Sequence, residues 1–265
     1  MPSVGDALKE IALHSADIAA EYFRNSRLKS WTKDGGSIVT EADQKVQEYV
    51  VDELRRRFPD AGIIGEESYS FAPDDFEQHP DKDWFAVDPI DGTTSFAHGL
   101  PGWCISIGMI RNGKAHAGVV HSPPWKEMYL ADGDSGQATF NGEVLPRLTD
   151  PGVIDRSTAI VCDSKLLQML TSDYPGKIRS YGSTALHFCL AARGVIDFAQ
   201  SNRVHVWDIA AAAAIGGAVG MDFTYLSGKP VEFTTLLNAE RVPEPIFAGH
   251  KDRVGDLSSL FALRK

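Results

Sequence analysis

Residues 83 to 108 read DWFAVDPIDGTTSFAHGLPGWCISIG, and the remainder of the chain can be laid out from them. Trp84-Phe85-Ala86-Val87 is a short apolar run bounded by charge, the pattern of a buried strand. Two carboxylates, Asp88 and Asp91, stand where it runs out. Pro89 between them fixes φ and removes an amide donor, so the backbone must leave the ladder there and both acids can turn toward one point. Gly92 lets backbone amides approach a ligand, and Thr93, Thr94 and Ser95 supply hydroxyls at the start of a short helix, where anions are favoured. Carboxylates beside an anion site repel it unless a hard cation lies between. The stretch therefore implies oxygen-ligated Mg²⁺ ions holding a phosphate.

Upstream, Val4, Leu8, Ile11, Ile18 and Tyr22 recur at helical spacing and predict an amphipathic helix over roughly 3 to 24. Lys33-Asp34-Gly35-Gly36-Ser37 is turn chemistry. Thr40-Glu41-Ala42-Asp43 has the form of a capping box opening a second helix that Pro59 ends, which alone gives Asp43 a structural role. Ile63-Ile64-Gly65-Glu66-Glu67-Ser68 repeats the design of an apolar pair followed by acids, although adjacent acids are often only solvated surface. The polar segment 71 to 81 reads as a mobile loop or lid.

Downstream, strand-like runs at 103–110 and 115–121 are joined by Asn112-Gly113, another occupies 127–131, and Asn141-Gly142 marks a further hairpin, so the middle of the chain is an antiparallel meander. Asp132 to Gly136 looks superficially like a calcium loop but lacks the distal bidentate Glu, and a plain turn is expected. From about 157 the pattern alternates: a strand at 159–162, a helix at 165–170, a helix at 183–193, strand character over 195–200, an alanine-rich helix opened by Trp207-Asp208, a strand at 247–249 and a terminal helix over 252–263. Asp208 suits a first-turn position on helical grounds alone. Neither G-x-G-x-x-G nor the P-loop pattern occurs. The expected class is α+β, layered sheets and helices rather than a doubly wound sheet, with an N-terminal half (1–150) and a C-terminal half (151–265) in one compact unit.

The chain has 265 residues, 43% of them apolar, and a formal charge of −10 without any Lys/Arg-rich run, which argues against a nucleic-acid groove. Cys104, Cys162 and Cys189 lack C-x-x-C spacing and read as buried thiols of a cytoplasmic protein. The acidic first helix is neither a signal nor a membrane span. His98 and His205 flank the acids without metal-ligand spacing, and His187 reads as a buried structural histidine.

Gly65-Glu66-Glu67-Ser68, Asp88-Pro89-Ile90-Asp91-Gly92-Thr93-Thr94 and Trp207-Asp208-Ile209-Ala210-Ala211 resemble three signature blocks of the inositol monophosphatase family, within the lithium-sensitive sugar-phosphatase superfamily. Val39 to Asp43 resembles a fourth. The resemblance implies an α-β-α-β-α sandwich and Mg²⁺-dependent hydrolysis of a small phosphorylated metabolite, a polyol or sugar phosphate. It also implies inhibition by Li⁺; family members often form homodimers. By the family pattern Glu66, Asp88, the Ile90 carbonyl, Asp91 and Asp208 would ligate two or three Mg²⁺ ions. Asp43 and Thr93 would activate water, with Glu67 as an outer ligand or water holder. Asp91, Gly92, Thr93, Ala185, Ser201 and Arg203 are the expected substrate contacts.

The pattern breaks at Ser201, seven residues before Asp208, where inositol-preferring members carry Glu. That places inositol preference in doubt and leaves histidinol phosphate, fructose bisphosphate and nucleotide 3′-phosphate open as substrates. Asp155, Asp163 and Asp197 are acids that sequence cannot place relative to such a ligand. A reading of another class, a non-catalytic regulatory protein keeping the fold, would be signalled by loss of an acid or of the Asp43/Thr93 pair, and none is lost.

Overall fold

The computed structural model describes residues 3–25, 28–32, 38–67, 82–202, 204–238 and 240–264. The expected turn at 33–37, Ser68, the loop at 71–81 and Arg203 lie outside them. A helix α1 (Val4–Tyr22), a short ribbon of β1 (Ser30–Thr32) and β2 (Ile38–Thr40), and a second helix α2 (Glu41–Arg57) come first. A seven-stranded sheet follows, built in sequence order from β3 (Gly62–Gly65), β4 (Trp84–Asp91), β5 (Cys104–Arg111), β6 (Lys114–Ser122), β7 (Glu127–Asp132), β8 (Gln137–Phe140) and β9 (Glu143–Val144). Only β3 and β4 run parallel; the rest is the expected meander. A one-turn helix α3 (Thr93–Ala97) follows β4.

The C-terminal half forms a mixed five-stranded sheet. Its strands are β10 (Ala159–Cys162), β12 (Lys177–Arg179), β13 (Phe198–Ser201), β14 (Met221–Tyr225) and β15 (Ile246–His250), in the order β12-β10-β13-β15-β14. Between the two sheets lie α5 (Thr184–Ala192) and α6 (Val206–Val219), apolar around nearly their whole circumference because both sides face a sheet. On the outer face of the first sheet α1 and α2 bury Leu8, Ile11, Val46, Val50 and Leu54 against Phe85 and Ile105. On the outer face of the second, α4 (Leu166–Met169), α7 (Val254–Ser258) and the ribbon β11 (Leu170–Ser172)–β16 (Phe261–Leu263) cover Ile160, Phe198 and Phe247. The result is the expected α-β-α-β-α sandwich. Among the described residues no helix is long and apolar enough to cross a membrane, and the three cysteines are free and buried.

Three boundaries differ from expectation. The terminal segment is not one helix over 252–263: α7 ends at Ser258, where the Ser258 and Ser259 hydroxyls bond back to the Gly255 and Asp256 carbonyls, and Phe261 is pulled into a strand against Phe247 and Tyr174. The helix expected at 165–170 is only four residues long, because Leu170 pairs with Leu263 instead of continuing it. Strand character over 195–200 starts late, since the Val195 and Ile196 amides still bond to the Leu190 carbonyl.

Helix α6 sits on the seven-stranded sheet without intervening side chains. A Cβ added at Gly108 would lie 2.4 Å from the Ala211 nitrogen, and one at Gly118 would lie 2.6 Å from the Ala211 Cα. This close approach, possible only with glycine on one side and alanine on the other, fixes the height of α6 and hence of Asp208 in its first turn. Gly118→Ala is therefore expected to lower unfolding free energy by about 1–3 kcal/mol in urea titration. Gly217→Ala on the same helix, with nothing within 4 Å of the new methyl, should instead raise it by up to about 1 kcal/mol.

Candidate active site

Strand β4 is buried along its whole length, and its register against β5 shifts between Asp88 and Asp91: Asp88 faces Ser106 while Asp91 faces Cys104. Pro89 sits inside this irregularity, so the sequence expectation of a break between the acids appears as a bulge that carries both carboxylates toward the mouth of the sheet. Gly92 then turns the chain into α3, with a Cβ there lying 2.5 Å from the Gly102 carbonyl oxygen.

Asp208 enters from the opposite side. It is the third residue of α6, and its Oδ2 accepts the N–H of the N-cap His205 at 2.6 Å. Carboxylate oxygens of Asp88, Asp91 and Asp208 all lie within 4.8 Å of one another. Burial first, then the charges of Glu66, Asp91, Asp208 and Asp43, push the Asp88 carboxyl well above the usual range. Asp91 is pushed up to about 7 by burial and by the charge of Asp208. Among the described residues no Lys or Arg pairs with these three acids; the His205 Nδ1 lies 3.8 Å from Asp208. A cluster of oxygens starved of positive charge is the donor set a hard divalent cation takes.

Asp91 has a further set of partners. It accepts the Ser183 hydroxyl at 2.6 Å and the backbone N–H groups of Thr184 (3.1 Å) and Ala185 (2.5 Å), so it sits on the N-terminus of α5. Ser183 also caps that helix by accepting the Leu186 N–H, and the Cys104 thiol lies 3.2 Å from its oxygen. Ala185, expected as a substrate contact, thus donates to Asp91. Ser183 and Thr184 went unforeseen: the Ser-Thr cap before an apolar run was visible, but not its partner 92 residues earlier.

Asp43 caps α2 as anticipated and also lies within hydrogen-bond reach of Thr93. Its Oδ2 accepts the Thr40 amide and hydroxyl in a capping box, and its Oδ1 lies 3.3 Å from the Thr93 hydroxyl, which also reaches the Ile90 carbonyl at 3.0 Å. Burial raises the Asp43 carboxyl to about 6, against the Thr40 hydrogen bonds that lower it. Glu66 and Glu67 diverge. Glu66 lines a cleft with Asp208, whereas Glu67 faces α2, its amide bonded to the Gln47 side chain, and its charge acts on Asp43.

That cleft has a volume of about 330 Å³ and is walled by Thr184, Ser201, Asn202 and His205, with Asp163, Lys165 and Arg241 also on it. Nothing in the local sequence marked Lys165 or Arg241. Of the acids left open, Asp163 is the one on the cleft. Asp155 closes a turn on Ser157 and Thr158, and Asp197 holds the Ala159 amide. His205 stacks on Trp207, ring centroids 4.4 Å apart; His98 is away from the cleft, bonded to the Thr94 carbonyl.

The sequence model of the inositol monophosphatase family matches residues 3–248. The chain belongs to the inositol monophosphatase family. Members of this family are metal-dependent hydrolases of phosphate monoesters. The chain is 38% identical over 210 residues to a protein of Thermotoga maritima named fructose-1,6-bisphosphatase/inositol-1-monophosphatase, covering 77% of each. It is 30% identical over 217 residues to a histidinol-phosphatase of Chlorobaculum parvum, covering 78% of this chain and 79% of that one. The solved inositol monophosphatase of Anabaena superposes with a TM-score of 0.75 at 23% identity, over 97% of this chain and 94% of that one, a likeness of fold.

Within this site Ser183 holds a cluster carboxylate without joining the cluster. Ser183→Ala is expected to raise the divalent-metal concentration for half-maximal activity by about 10- to 100-fold and to cost about 1 kcal/mol through the lost cap. Unchanged metal dependence would rule this role out.

His187, on α5, is buried as anticipated, but only half satisfied: its Nε2 accepts the Tyr181 N–H at 2.9 Å, while Nδ1 has no partner among the described residues. Burial pushes it down from 6.5 to about 4. The unfolded chain therefore takes up the proton first, and stability is lost as pH falls from about 6.5 to 4. Relative to His187→Gln, the wild type should lose about 3 kcal/mol more across that window, read by denaturant titration at each pH.

Proposed function

We propose that this phosphoric monoester hydrolase is Mg²⁺-dependent and acts on a small polyol or sugar phosphate. The observation that carries the reading is the trio of carboxylate oxygens within 4.8 Å of one another, two of the three acids buried. Asp88, Asp91, Asp208 and Glu66, with the Ile90 carbonyl, would hold the ions. Bound Mg²⁺ supplies positive charge against the phosphate and acidifies water. An all-oxygen carboxylate set favours Mg²⁺ over Zn²⁺.

Around that centre the chain's own groups do the positioning. The Thr93 hydroxyl, donating toward Asp43, keeps a lone pair free to receive a proton from an incoming water; Asp43 is the final acceptor. Glu67, beside Asp43, helps hold that water. The backbone amides of Gly92 and Thr93 meet the non-bridging phosphate oxygens. Ser201, buried and neutral on the cleft wall, offers a hydroxyl where inositol-preferring relatives would offer a carboxylate. It therefore imposes no requirement for a ring diol. The relatives named for inositol phosphate, fructose bisphosphate and histidinol phosphate define the panel to try, together with nucleotide 3′-phosphates.

Purified protein with Mg²⁺ should release phosphate from at least one member of this panel. Chelation should abolish the activity, Asp88→Asn should lower it more than about a hundredfold, and Li⁺ should inhibit it. Turnover undiminished by both chelation and Asp88→Asn would refute the reading.

A further inference from the structure

Parallel strands β10 and β13 run side by side toward the cleft and are last paired at Cys162 and Gln200. Beyond that pair the chains part, one into α4 and the other toward Asp208, and among the described residues no backbone hydrogen bond joins 163–165 to 202–205. Both departing segments wall the cleft, so their separation sets its width. A side chain fixes that separation. The Asp163 Oδ2 accepts the Asn202 backbone N–H at 2.7 Å and its side-chain N–H at 2.8 Å, while Oδ1 accepts the Lys165 amide at 2.7 Å. Because a carboxylate only accepts, Asn202 must turn its Nδ2 toward Asp163, which leaves its Oδ1 for the Gln200 Nε2 at 2.9 Å. Gln200 is fully buried and Asn202 only 7% exposed, with Ser201 between them at 1%.

We propose that Asp163 and Asn202 are positioning residues, a latch across two walls of the cleft that holds the Ser201 hydroxyl where it meets the alcohol part of the ester. This rests on the hydrolytic reading above and concerns the residues behind the wall, not the acid cluster. With three N–H donors already on it, the Asp163 carboxylate serves the loops rather than a ligand. Hydrogen bonds to a charged acceptor are the stronger kind, and losing one partner leaves the others unsatisfied. The Val204 carbonyl in turn accepts the Val242 amide at 2.8 Å, so the latch also steadies the segment that brings Arg241 to the cleft. A wall held in place favours bound substrate and transition state alike, and its loss therefore shows in KM rather than kcat.

The test measures initial rates with Mg²⁺ on inositol 1-phosphate, fructose 1,6-bisphosphate, histidinol phosphate and adenosine 3′-phosphate, with inorganic phosphate as a competing ligand that occupies the acid cluster alone. On each ester that the wild type hydrolyses, Asn202→Ala and Asp163→Ala should raise KM by about tenfold, change kcat by less than about twofold and leave the inhibition constant of phosphate unchanged. The double variant should be no worse than the poorer single one, because both remove the same contact. Asn202→Asp sets two carboxylates against each other and should raise KM further; adding Asp163→Asn restores a donor facing an acceptor and should recover most of that loss. Asn202→Ala removes no charge and keeps the test open should Asp163→Ala fail to fold. Wild-type KM in the variants, additive losses in the double variant, or equal damage to KM, kcat and phosphate inhibition would overturn the latch alone. No turnover of any of the four esters by the wild type would overturn the hydrolytic reading and the latch with it.

Discussion

Mutual repulsion among buried carboxylates is the constraint around which this molecule is arranged. Two unit charges 4.8 Å apart repel by about 3 kcal/mol at an effective dielectric constant of about 20, and Asp88, Asp91 and Asp208 make three such pairs at that distance or less. The sum is comparable to the whole stability of an ordinary domain. The upward shifts of Asp88 and Asp91 express the same fact: without compensating positive charge these acids hold protons. With divalent cations between them they become a nearly neutral clamp for a phosphate dianion, and the electrostatic penalty turns into the capacity to bind.

Holding such a cluster together demands rigid supports from both halves of the chain. The bulge in β4 presents Asp88 and Asp91 from the seven-stranded sheet, while α6 presents Asp208 from the middle layer. Gly108 and Gly118 let the α6 backbone lie directly on that sheet, so the helix has no freedom to ride higher. Asp91 meanwhile accepts three hydrogen bonds from the start of α5. One carboxylate thus serves as a cluster member and as the lock between the first sheet and the helical layer, which is why the site lies where the layers meet.

Around the cluster, division of labour follows from neighbouring residues pointing apart. Glu66 faces the cleft and Glu67 faces α2 and Asp43, so two adjacent acids feed two different places. Asp43 caps α2 with one oxygen and reaches Thr93 with the other, so a single side chain ties the start of α2 to the start of α3. The cleft wall, by contrast, is assembled from loops before α4, after β13 and before β15, where neutral Ser201 lies near Asp163, Lys165 and Arg241.

Local sequence was sufficient for the elements whose signals are local. The apolar run ending in Asp-Pro-Ile-Asp, the Thr40–Asp43 capping box, the Asn-Gly hairpins and the alanine-rich helix opened by Trp-Asp each state their conformation within a few residues; Asp88 and Asp91 could be named as a pair from them, whereas Asp208 joined the pair only through the family resemblance. Elements whose conformation is settled by distant partners were misjudged: Phe261 becomes a strand through Leu170–Ser172 and Phe247, and the helix at 165 stops because Leu170 answers to Leu263. The anchoring of Asp91 on α5 and the convergence of Lys165 and Arg241 on the cleft were likewise invisible, since no spacing rule links residues some 75 to 95 positions apart. By itself, then, the sequence determined which side chains could bear charge and how each local segment would fold; the tertiary structure alone decided which charges would be forced together and which left unpaired, because electrostatic energy depends on distance in space and not along the chain.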